Sequence, residues 1–78
     1  MFHMRNIIGP RVRQGRLEHS PPLTQEELAN ILQTQGWDVS RNIIAKIEIG
    51  IRQVTDIELI QLAGALGVPV SWLFGEDE

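Results

Sequence analysis

The 78-residue chain has no cysteine and no tyrosine, and its only aromatic residues are two tryptophans and two phenylalanines. The lack of cysteine excludes a disulfide framework and a thiolate metal site, so packing alone must hold the fold. A chain this short forms one domain near the lower limit for an unassisted core. Helices, with their local contacts, are the cheapest way to build it. An apolar share of 42% is ordinary for a globular protein and excludes disorder over most of the length. No apolar run approaches membrane-spanning length, and the start MFHMRNIIGPR lacks the long apolar segment of a signal peptide. A soluble, cytoplasmic protein with no membrane partner is expected. Basic residues are missing from the final third. All seven Lys and Arg lie between Arg5 and Arg52, while residues 53–78 carry Asp56, Glu58, Glu76, Asp77 and Glu78. With a net charge of −3, attraction to a polyanion would have to come from placed contacts more than from bulk charge.

Catalytic and metal constellations are absent too. His3 and His19 are far apart, with no acidic or thiol companion at ligand spacing. The isolated serines have no base beside them, and no glycine loop could cradle a phosphate. Neither an enzyme nor a cofactor is expected.

What the chain does have is helical punctuation. Gly9-Pro10 suits a helix entry, because proline is preorganised for the first helical position. The helix it opens runs to about His19, with Val12 on the face of Ile8 and position 15. Gly15 in its middle costs on the order of 1 kcal/mol against alanine unless another backbone needs the room. Ser20-Pro21-Pro22 ends it. Thr24-Gln25-Glu26-Glu27 is a T-x-x-E capping box before a helix that carries Leu28, Ile31 and Leu32 on one face and closes at Gly36. Trp37 falls in the next connection, where its indole is expected to plug the core more than to stack on a ligand. Thr55-Asp56-Ile57-Glu58 is a second capping box, opening a helix to about Leu66 with a stripe of Leu59, Leu62, Ala63 and Leu66. Gly67 stops it, and Pro69 allows a last short turn from Val70 to Phe74. The sum is a compact all-α domain of five helices, with no convincing strand and no internal repeat.

Between the capping boxes lies DVSRNIIAKIEIG, Asp38 to Gly50. Coiled as a helix, it brings Ile43, Ile44 and Ile47 within about a third of the circumference as a buried stripe. Arg41, Asn42, Ala45 and Lys46 share the opposite arc, which holds no acid. Ser40 is a suitable N-cap, and Gly50 supplies the left-handed residue that ends the helix. An isoleucine inner face with an Arg/Asn/Lys outer face suits insertion into a DNA major groove. The bland reading of those polar residues is a solvated surface.

Three segments in register decide between the two: LTQEELA at Leu23–Ala29, VSRNIIAKIEIG at Val39–Gly50, and LIQLAGALGVPVSWLFG at Leu59–Gly75. Together they resemble the lambda-repressor-like (Cro-repressor-type, XRE) helix-turn-helix domains. The resemblance implies a five-helix bundle whose second and third helices bind DNA. It implies base reading by Ser40, Arg41 and Asn42, with Lys46 one turn further on reaching a base or a phosphate. Arginine can bond guanine in bidentate fashion, and asparagine adenine. It implies phosphate contacts from Gln25, at a positively polarised helix start, and from Arg52 just past the recognition helix. Two departures stand out. LQTQGWD makes the turn several residues longer than is common, and Ile43 and Ile49 stand where many members carry polar side chains. Ile43 either flanks the stripe or touches a thymine methyl; Ile49 points away from the stripe. Arg5, Arg11, Arg13 and Arg16 look mostly solvated.

The implied division is a flexible lead-in at residues 1–7, the DNA-binding domain at 8–75 and an acidic tail at 76–78. Ile57, Ile60, Trp72 and Phe74, with Val70 and Leu73, exceed what so small a core can bury. They either form a homodimer interface or pack within their own subunit. The expected function is sequence-specific regulation of transcription, as a small dimeric repressor on a palindromic operator. The rival is a protein-interaction module, an antitoxin or adaptor of the same fold, which holds a protein partner through the acidic tail or apolar helices.

Overall fold

The computed structural model describes residues 4–76. Its elements, in order, are α1 (Gly9–Glu18), α2 (Gln25–Thr34), α3 (Arg41–Glu48), α4 (Asp56–Leu66) and α5 (Val70–Leu73). No strand occurs among the described residues. His3 and the last two residues of the acidic tail lie outside them.

The helix starts follow the capping chemistry. At α2 the Thr24 hydroxyl accepts from the Glu27 N–H at 3.0 Å, and the Glu27 carboxylate accepts from the Thr24 N–H at 2.8 Å. Thr55 and Glu58 repeat the arrangement at α4. Two orphan donors are thereby satisfied at each start. Gly67, with φ 71°, ends α4 in the left-handed region, and Gly50 does the same after α3 with φ 86°.

α2 packs on α3 and α4, and α1 crosses behind them to touch α3, α4 and α5. Leu28 and Leu32 of α2, Ile44 and Ile47 of α3, Leu62 of α4 and Leu73 of α5 are fully buried in one core with Val12 of α1. Ile43 and Trp37 are half-buried against it. Gly15 makes room, though not for a backbone. A Cβ there would meet the Trp72 ring at 3.2 Å and a Leu66 methyl at 3.3 Å, so the missing side chain seats the α5 indole.

α1 and α3 meet end to end through Asn6. Its carbonyl oxygen accepts from the N–H groups of Ile8 and Gly9, at 3.0 and 2.9 Å. Its amide donates to the carbonyls of Ile47 and Arg52, at 3.1 and 2.8 Å. One side chain thus joins the positive end of α1 to the negative end of α3. The Arg5 N–H also donates to the Gly50 carbonyl at 2.7 Å, so the end of α3 is fixed by residues from the expected lead-in.

The expectation that the arginines of α1 are solvated needs correction at two positions. Arg16 is buried, and Arg11 is half-buried with its guanidinium 4.0 Å from the centre of the Trp72 ring. Arg11 also donates through Nε to the Trp72 carbonyl at 2.8 Å. α5 therefore packs on α1 partly through an arginine, a cation over an aromatic face.

Candidate nucleic-acid interface

Ser40 has extended backbone geometry, and its hydroxyl accepts from the Ile43 N–H at 3.3 Å, which starts α3. The hydroxyl hydrogen remains available to an outside acceptor. Arg41, Asn42 and Lys46 are exposed, and none has a side-chain hydrogen bond or ion pair among the described residues. Behind them, Ile44 and Ile47 anchor α3, so the polar face is held by a rigid inner face.

Glu48, the last residue of α3, fixes the helix against its neighbours. Its carboxylate accepts from Arg16 Nε at 2.8 Å and from Arg16 Nη2 at 3.0 Å, a bidentate pair. The same Oε1 accepts from Gln25 Nε2 at 3.1 Å. Arg16 Nη1 donates to the Leu23 carbonyl at 2.9 Å. The pair is buried, and no buried side-chain polar atom is without a partner among the described residues. Gln25 is thus half-buried at the start of α2 with one of its two amide hydrogens committed to Glu48. An open cleft of about 560 Å³ runs from Thr24 and Gln25 to Arg41, so the start of α2 and the start of α3 share one surface depression.

The turn between α2 and α3 spans residues 35–40, and it is ordered by its own hydrogen bonds. The Trp37 N–H donates to the Leu32 carbonyl at 3.1 Å, the Val39 N–H to the Trp37 carbonyl at 2.8 Å, and Gln33 Nε2 to the Val39 carbonyl at 2.7 Å. Val39 is buried beneath it.

Arg52 lies beside this turn and is already engaged. Its Nη1 donates to Glu58 Oε1 at 2.6 Å and to the Gln53 carbonyl at 2.9 Å, and its Nη2 donates to Glu58 Oε2 at 3.2 Å. Its guanidinium also lies 5.6 Å from the Trp37 ring centre. Burial alone would raise the Glu58 carboxyl. Hydrogen bonds from Arg52 and the Thr55 backbone, the Arg52 charge and the Thr55 hydroxyl outweigh it, so the carboxyl sits below its ordinary range. Nε–H and one Nη2–H of Arg52 are left for an outside acceptor.

Ile57, Ile60 and Phe74 are exposed, the first two at 68% and 64%. Trp72 is half-buried against α1 under Arg11, so the four candidates for an interface do not share one environment. Sequence reasoning missed Arg16, Glu48 and Asn6, which hold the site together. Only the unusual company of Glu48, an acid inside an isoleucine-rich helix, hinted at a buried partner.

An exposed, partner-free polar helix face, held on a buried helix behind a turn, is a helix-turn-helix arrangement. A helix-turn-helix family model matches residues 23–73, and the chain belongs to the lambda-repressor-like helix-turn-helix family. It is a DNA-binding regulator domain of that class. No curated protein matches the chain.

Proposed function

We propose that the protein is a sequence-specific transcriptional repressor that inserts α3 into the major groove of operator DNA. Arg41 and Asn42 read base edges, with Ser40 and Lys46 flanking them. Gln25 meets a phosphate through its backbone N–H and its remaining amide hydrogen, at the positive end of α2. Arg52 adds a phosphate contact through the N–H groups that Glu58 leaves unused. The observation that carries this reading is that Arg41, Asn42 and Lys46 have no side-chain partner among the described residues while the other face of α3 is locked in the core. Such polar groups are free to meet an outside partner, on a helix whose backbone the core holds in place.

Dimerisation completes the proposal. Ile57 and Ile60 stand out on α4, and a Cβ at Gly64 would meet nothing within 4 Å, leaving room for another chain to approach closely. A second copy paired across this face would present two recognition helices to successive major grooves. The acidic stretch after Arg52 and these same isoleucines also favour a second reading, an adaptor or antitoxin that holds a different protein.

Selection from a random duplex pool, followed by footprinting at several salt concentrations, separates them. The repressor enriches a palindrome and binds it with a steep salt dependence. The adaptor enriches no sequence and co-purifies with a protein.

A further inference from the structure

The inner face of α3 is complete without Ile49. Ile44 and Ile47 are fully buried and Ile43 packs half-buried on the same core, whereas Ile49 is 61% exposed. It is the C-cap of α3, with φ −90° and ψ 0°, and its N–H still donates to the Ala45 carbonyl at 3.2 Å, which keeps its position in helical register. Spacing of i, i+3, i+4 and i+7 therefore sets Asn42, Ala45, Lys46 and Ile49 along one stripe. A single surface isoleucine is ordinary and needs no reason. This one is aligned with an asparagine and a lysine on the face proposed to enter the groove. Of the features that base edges present there, the one an aliphatic side chain can complement is a pyrimidine C5-methyl.

We propose that Ile49, with Ala45 beside it, is a specificity-determining residue that packs on a pyrimidine C5-methyl. The methyl belongs to thymine or to 5-methylcytosine, within about three base-pair steps of the base read by Asn42, since seven helical residues span about 10 Å. The inference rests on the DNA-reading role of α3 proposed above.

Two random pools, one with cytosine and one with 5-methylcytosine in its place, supply the sites. Thymine fixed near the Asn42 position in the unmodified pool identifies thymine as the source. A fixed 5-methylcytosine in the second pool alone identifies the other. Each methyl in the selected site is then removed singly, thymine to deoxyuridine or 5-methylcytosine to cytosine. The unaltered protein should lose about fourfold in affinity at one position of each half-site, the worth of one methyl-sized group buried. Ile49→Ala should bind both duplexes alike, and Ile49→Val, which keeps a branched side chain, should still discriminate. Equal binding by the unaltered protein at every position, or full discrimination by Ile49→Ala, overturns the role of Ile49 and leaves DNA binding standing. Enrichment of no sequence from either pool overturns the DNA-reading role and this inference with it.

Discussion

At Gly9 the first turn of α1 lies against the last carbonyls of α3. A Cβ there would fall 2.6 Å from the Glu48 oxygen and nearer still to that of Ile47. Both are backbone atoms, so nothing flexible can give way. Gly9→Ala should cost about 1–3 kcal/mol, the usual penalty for overfilling a packed site, measurable by urea denaturation. Glu58 carries a different residue-level prediction. Its carboxyl is held below the ordinary range, so the ionised form is bound more tightly in the folded chain than in the unfolded one. That stabilisation is present above the ordinary glutamate value, roughly 4.3, and fades as pH falls through the lower folded value. As pH falls below the ordinary glutamate range, denaturation midpoints of the unaltered protein should therefore fall more steeply than those of Arg52→Gln. Parallel curves would show that Arg52 does not stabilise the carboxylate. The T-x-x-E boxes were legible at this scale because both partners sit within four residues. Asn6 and Gly9 were not, because what they touch is some forty residues away.

The elements themselves were legible to within a residue or two, since caps, prolines and glycines act locally. The order of α1 to α5 and the buried side of α3 follow from that punctuation and from isoleucine spacing. How α3 is clamped does not. Arg16 looked like one more solvated base on α1, and its partner Glu48 is on another helix. Removing one member of a buried ion pair strands the other charge, so Glu48→Ala should cost about 3–5 kcal/mol. It should also release Gln25 from its hydrogen bond and so weaken phosphate contact at the start of α2. Replacing both charges, with Arg16→Met and Glu48→Leu, should recover most of the lost stability, because a well-packed apolar pair needs no compensation. Thermal unfolding of the three proteins checks this. Equal melting temperatures for Glu48→Ala and the unaltered chain would show that the pair holds nothing. The turn between α2 and α3 was legible from Gly36 and the Ser40 cap. Its internal hydrogen bonds and the burial of Val39 were not, since they depend on backbone geometry.

For the molecule as a whole, charge is segregated along the chain, with bases ending at Arg52, and the exposed Ile57, Ile60 and Phe74 lie beyond that point. The proposed two-fold pairing through α4 would set the recognition helices about 34 Å apart, one turn of DNA. Ile60→Glu should then shift sedimentation from dimer to monomer, and footprints should shrink from two half-sites to one. A monomeric unaltered protein would remove this surface from the account. The central claim, that the outer face of α3 reads bases, is tested most directly at Arg41. On a selected operator, Arg41→Ala should lose about 1–3 kcal/mol of binding per half-site and relax the preference at one base pair in each half-site, with folding unchanged. Undiminished affinity with the same base preference at every position would contradict it.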